Sequence, residues 1–143
     1  MTSPTPPRVV HAGFIALALL AVACSSSSHD GAATPLGVKV ADFAIKAPKS
    51  IAAGNVVLRV RNNGPDMHEL ILVRDTGSAL PLRPDNLTVD EDALEQRTVS
   101  VLEDDQPNTL RDWKLKLEPG RYVLVCNMSG HYLGGMRTEL VVR

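Results

Sequence analysis

Residues 126–136 read CNMSGHYLGGM and hold Cys126, His131 and Met136, a thiol, an imidazole and a thioether within eleven positions. These soft and borderline donors suit copper, and two His with one Cys and a weak axial Met are the donor set of a copper electron-transfer site. A second imidazole is therefore required. His68, in NNGPDMHEL, stands at the edge of a predicted strand and is the candidate offered by the rest of the domain. Taken singly, His68 reads as a hydrogen-bonded core histidine and Cys126 as a buried, inert thiol. Together with His131 and Met136 at this spacing, both point to a metal.

Cysteine usage sharpens that reading. Cys24 is the other cysteine, and it closes an uncharged apolar run that begins at Ala12, behind Arg8, and ends in small residues. Residues 1–23 thus read as an export signal, with an apolar run too short for a bilayer span of about 20 residues. Ala21-Val22-Ala23 offers a cleavage site for release as a soluble protein. Ala21-Val22-Ala23-Cys24 also resembles a bacterial lipobox, in which Cys24 becomes the lipidated first residue. The Ser25 to Ser28 run favours the lipid anchor, since a Ser-rich tether holds a domain away from a membrane. Residues 24–35, which include His29, form a Ser/Gly/Ala-rich linker, and 36–143 form the domain. With Cys24 lipidated or lost, Cys126 has no disulfide partner in an exported chain, and the leftover thiol requires another explanation. Removing the signal takes away only Arg8 among charged residues and leaves 14 basic and 16 acidic, a formal charge of −2. No nucleic-acid partner is expected from such a balance.

The elements that must position the donors read as strands. Leu36, Val38 and Val40 alternate with Gly37 and Lys39, and the apolar phase then moves to Ala41, Phe43 and Ile45, as a bulge near Val40 would produce. Val56, Leu58 and Val60 share one face. His68 shares parity with Leu70 and Leu72, while Ile71 and Val73 make the other face apolar, so that strand is expected to be covered on both sides. Residues 76–112 are irregular around Pro81 and Pro84, with a short helix within 89–96 begun by Asp90, Glu91 and Asp92 and a strand over 98–102. Trp113, Leu115 and Leu117 alternate with Lys114 and Lys116. Pro119-Gly120 reads as a turn pairing this segment with the next as a hairpin. Tyr122, Leu124 and Cys126 share a face, as do Met136, Thr138, Leu140 and Val142. Short strands at regular spacing with little helix predict an all-β sandwich.

On Asn63, Gly64 and His68 and on the C-x4-H-x4-M loop of Cys126, His131 and Met136, the chain resembles the small blue (type 1) copper proteins of the cupredoxin family, which includes plastocyanin, azurin and rusticyanin, over roughly residues 36–143. The resemblance implies a Greek-key β-sandwich holding one type 1 copper ion through His68, Cys126, His131 and Met136. It also implies a one-electron carrier, not an enzyme, that meets a redox partner protein at the ring edge of His131; with the export signal, this places the carrier at the bacterial cell envelope, where it is expected to be a monomer. The alternative is a copper-binding protein for storage, delivery or tolerance. Glu69 follows His68 where several members of the family have Asn. The absence of a second Cys near Cys126 excludes a binuclear electron-transfer centre, and His29, His68 and His131 are too few for a trinuclear cluster. Asn63 and Asn127 are the candidates for hydrogen bonds that hold the loops of the site together. Met67, Met128, Tyr132 and Leu133 are the candidates for an apolar collar about His131, and Met67 and Met128 could instead bind Cu(I). Zinc also accepts Cys and His but has little use for Met136. A Cys-His hydrolase would need a base and oxyanion donors about Cys126, which the sequence does not supply.

Overall fold

Among the described residues, apolar alternation is realised as nine strands and one helical turn: β1 Leu36–Ala41, β2 Ala44–Lys46, β3 Ser50–Ile51, β4 Gly54–Asn62, β5 His68–Arg74, α1 Glu91–Leu94, β6 Thr98–Asp105, β7 Leu110–Leu117, β8 Gly120–Cys126 and β9 Arg137–Val142. The computed structural model describes residue 1 and residues 34–143; the expected export signal, Cys24 and nearly all of the linker lie outside them. The strands form a four-stranded sheet in the order β2-β1-β4-β7 and a five-stranded sheet in the order β3-β9-β8-β5-β6. The chain brings β5 beside β8 and β4 beside β7, neighbours far apart in sequence, as a Greek-key β-sandwich requires.

Between the sheets, Val38, Leu58, Val60 and Trp113 meet Leu70, Leu72, Tyr122 and Leu124 in one core. A second, smaller core lies on the outer face of the five-stranded sheet, where Ile71, Val73 and Val125 are covered by Leu80, Val89, Leu94 and Tyr132. The segment between β5 and β6 is therefore a lid over that sheet, and it explains why β5 is apolar on both faces. Its helix is a single turn, with Asp90 as N-cap accepting from the Ala93 N–H and with Glu91 and Asp92 in the first turn, where the helix dipole favours them. Asp75 fixes the entry to this segment. Its carboxylate accepts from the Gly77 N–H at 2.8 Å and from Arg121 Nε at 3.4 Å.

Two expectations are corrected. The apolar phase change near Val40 is not a bulge but a hairpin turn at Asp42-Phe43, which pairs Ala41 with Ala44. The two readings leave the same parity signature in sequence. Pro119-Gly120 reverses the chain but makes no hairpin: β7 pairs with β4 in one sheet, and β8 with β5 and β9 in the other. The strands on either side of the turn thus face one another across the core, each burying its own alternate residues, and the Tyr122 hydroxyl fastens this corner by donating to the Glu118 carbonyl at 2.8 Å.

Leu58, 1% exposed at the centre of the main core, has no room to be shortened without leaving a void. Leu58→Ala is expected to cost about 2–5 kcal/mol, read as a lowered urea midpoint with an unchanged slope. A pH dependence follows from Asp75, whose carboxyl is held below its usual 3.8 first by the Gly77 N–H and then by Arg121. Because the folded value is the lower one, the stabilisation is complete above the usual value and is lost as pH falls through the folded value. The difference in thermal midpoint between wild type and Asp75→Asn should therefore shrink on acidification from about pH 5 to about pH 2.5.

Candidate metal centre

The strand ladder itself carries two of the donors. Leu70 is the cross-strand partner of Cys126, so His68, two residues before Leu70 on the same face, reaches over the end of β8 toward the sulfur. His68 and Cys126 thus belong to adjacent strands of one sheet, and Met136 immediately precedes the next strand along, β9. A register shift against β6 between His68 and Leu70 turns the start of β5 at this point. The Cys126 Sγ lies 3.7 Å from His68 Nδ1 and 3.5 Å from His131 Nδ1.

His131 is brought back to Cys126 by a loop closed on its own backbone. Its N–H donates to the Met128 carbonyl at 2.9 Å, the Met136 N–H donates to the His131 carbonyl at 3.0 Å, and the Cys126 N–H donates to the Met136 carbonyl at 3.0 Å. Met136, fully buried, is in this way tied to both other donors of the loop. Two glycines make the path possible. Gly135 has φ 97°, which side chains rarely tolerate. At Gly134 a Cβ would stand 2.2 Å from Phe43 Cδ1. Phe43 is thereby admitted against His131, with ring centroids 5.0 Å apart, and the two imidazoles stand 5.3 Å apart.

Asn127 and Asn62 hold the surroundings. The Asn127 side chain accepts from the Val89 N–H at 2.6 Å and donates to Glu91 Oε1 at 2.7 Å, locking the Cys126 loop to the lid. Asn63, the other candidate for this role, has an exposed side chain. Its neighbour Asn62, buried at the end of β4, does the work: Nδ2 donates to the carbonyls of Asp66 and Asp105 at 2.9 and 2.8 Å, and Oδ1 accepts from the Gly64 N–H at 2.9 Å. Strand parity separates the two asparagines, because Asn62 continues the inward face of Val56, Leu58 and Val60. The expected collar is also rearranged. Tyr132 is buried in the outer core, Met128 packs against the main core, Leu133 is exposed, and the ring against His131 is that of Phe43.

Burial dominates the electrostatics. His68 is 0% exposed and its imidazole is held below the ordinary 6.5, first by desolvation and then by His131, against the opposing pull of Asp42, Asp105 and Asp66. Burial thus favours the neutral ring, whose unprotonated nitrogen can bind a cation. Burial pushes the Cys126 thiol above its usual 9.0, although the backbone N–H groups of Met128 and Glu69 point at the sulfur and lower it. Glu69 therefore serves through its backbone, and its carbonyl also accepts from the Asn127 N–H at 2.9 Å. Its carboxyl is raised, first by burial and then by Glu91, Glu103 and Asp104.

Among the described residues, His68, Cys126 and His131 are the cluster of donors able to hold a metal ion, with one donor atom from each lying within 4.8 Å of the others. With metal–nitrogen and metal–sulfur bonds of about 2.0 and 2.3 Å, angles between tetrahedral and trigonal set sulfur and nitrogen about 3.5–3.7 Å apart. The two observed separations, 3.7 and 3.5 Å, match this span. The donors fit a metal ion as they stand.

No protein-family model matches the chain, and no curated protein matches it. Solved structures do. Auracyanin from the photosynthetic bacterium Roseiflexus castenholzii superposes with TM-score 0.56 at 19% identity, over 79% of this chain and 99% of that one. Auracyanin A, a "blue" copper protein from Chloroflexus aurantiacus, gives 0.54 at 19% over 77% and 100%. Reduced rusticyanin gives 0.53 at 18% over 76% and 79%. The chain has the cupredoxin fold. In this cupredoxin fold, sequence reading located the four donors but missed Asn62, Asp42 and Phe43. The change of apolar phase near Val40 was the available sign of the turn carrying the last two, and a bulge leaves the same sign.

Asn62→Ala leaves two carbonyls and one N–H without their partner at the edge of the site. At about 1–3 kcal/mol for each buried group left unpaired, the variant is expected to unfold at distinctly lower urea than wild type, even without metal.

Proposed function

We propose that this chain is an exported mononuclear type 1 copper protein that carries single electrons at the bacterial cell envelope, anchored there by a lipid on Cys24. The observation that carries the reading is the buried triad of one thiol and two imidazoles, with the sulfur 3.5 and 3.7 Å from the two Nδ1 atoms. Copper held by His68, Cys126 and His131, with Met136 as weak axial ligand, supplies a one-electron couple whose potential is tuned by that ligand and by hydrogen bonds around the sulfur. The chain contributes a frame that barely needs to move. His68 and Cys126 sit on paired strands, and the loop bearing His131 and Met136 is closed by its own backbone bonds. Donors locked in this way keep the rearrangement on electron transfer small.

The soft Met136 thioether favours copper over zinc. Burial favours electron transfer over delivery of the ion, because His68 and Cys126 are both wholly out of water and ion release would require opening the loop. The same burial, with a thiol pushed above its usual range, speaks against a nucleophilic cysteine and hence against a Cys-His hydrolase. Electrons would pass at His131, where the exposed side chains of Phe43 and Leu133 offer apolar contact to a redox partner protein. The chain is expected to work as a monomer. Export and the lipid anchor rest on the sequence of residues 1–24; among the described residues no helix is long and apolar enough to cross a membrane.

Purified domain loaded with Cu(II) is expected to show an intense visible thiolate-to-copper band and reversible one-electron voltammetry, with both lost in Cys126→Ser. A colourless Cu(II) complex in wild type would refute the reading, and rapid handover of the ion to a chelator without electron exchange would assign the site to copper delivery.

A further inference from the structure

When Nδ1 of a buried imidazole is the atom turned toward a metal, the proton of the neutral ring resides on Nε2 and needs an acceptor, since water cannot reach it. In His68, Nδ1 faces the Cys126 sulfur and Nε2 is buried with no hydrogen-bond partner. The atom opposite Nε2 is Asp42 Oδ1, 3.6 Å away, which is likewise buried and unpartnered. A shift of about 0.5 Å would bring them to ordinary hydrogen-bond distance. We propose that Asp42, in the turn between β1 and β2, is a positioning residue that accepts the Nε2 proton of His68 and so holds the ring in the tautomer that presents Nδ1 to the metal.

Three further features belong to the same arrangement. Gly64 clears the space the carboxylate occupies, because a Cβ there would lie 2.6 Å from Asp42 Oδ1. The next residue in the turn, Phe43, is held at φ 61°, a left-handed conformation that a bulky side chain adopts only where its surroundings enforce it. That residue packs its ring, tilted by 56°, against His131, so the one turn lies against both imidazoles. Asp105 is a less suitable acceptor: it also faces His68 and has an unpartnered buried Oδ2, but its other oxygen is engaged by the Thr109 hydroxyl at 2.9 Å, whereas Asp42 Oδ1 lies 3.6 Å from Nε2 of the ring. A carboxylate in this place adds a negative charge beside the metal, which a backbone carbonyl would not.

The inference rests on the copper reading only for its second readout. In the metal-free protein, nitrogen-15 NMR of the histidine rings should find His68 as the Nε2–H tautomer in wild type and in Asp42→Asn, which keeps an acceptor oxygen, and as a mixture in Asp42→Ala. In the copper-loaded protein, Asp42→Asn and Asp42→Ala should both have a higher reduction potential, since a lost negative charge favours Cu(I), and Asp42→Ala should bind copper about 10–100-fold more weakly. Asp105→Asn should leave the tautomer unchanged. An Nδ1–H ring in metal-free wild type, or a tautomer indifferent to Asp42→Ala, would overturn the proposal. A tautomer that follows Asp42 in a protein giving no visible copper band would sustain it while refuting the copper reading.

Discussion

The structure depends on keeping a sulfur and two imidazole nitrogens together in a space from which water is excluded. Buried polar groups without partners are costly, of the order of 1–3 kcal/mol each, and here three donor atoms within 4.8 Å of one another have only each other as partners, while the second nitrogen of His68 is buried and unpartnered. Such a cluster survives only if the backbone around it has little freedom to disperse it. The ladder between β5 and β8 supplies one half of that restraint, and the ring of backbone hydrogen bonds from Cys126 through Met136 to His131 supplies the other. A cation held by His68, Cys126 and His131 would remove the cost that the protein alone must carry and would favour the thiolate form of Cys126.

The remaining architecture serves this end of the sandwich. The lid between β5 and β6 covers the outer face of the sheet that carries the donors, and Asn127 ties the lid to the residue after Cys126. Asn62 does the equivalent on the other side, joining the end of β4 to the segment before His68 and to the end of β6. Each asparagine side chain joins the segment that carries it to another part of the chain, so movement of one is resisted by hydrogen bonds to the other. Fully satisfied polar networks of this kind fix a single arrangement where apolar packing alone would permit several.

The turn at Asp42-Phe43 departs from ordinary local preferences. A glycine or asparagine would accept φ 61° with less strain than Phe43. The ring instead rests on His131 in a space left open by Gly134, while Asp42 fits into space left by Gly64. Two glycines far apart in the chain thus make room for two adjacent side chains, each set against a different imidazole. Strain of this kind is retained where neighbouring contacts over-determine the conformation.

The sequence by itself determined the donors and the parity of the strands. Soft and borderline ligands at fixed spacing in 126–136 announce a metal loop. Alternation puts His68 with Leu70 and Leu72, and the doubly apolar Ile71 and Val73 announce a cover on the far face. These are local properties, set by side-chain chemistry and the period of two. Only the tertiary structure decided that His68 and Cys126 share one sheet, that β7 and β8 face each other across the core instead of pairing, that Asn62 and not Asn63 is the buried link, and that Phe43 covers His131. A turn signal reports that the chain reverses but not which partner the returning strand finds. That choice is made by contacts between residues such as Phe43 and Gly134, or Asp42 and Gly64, which only the closed fold brings together.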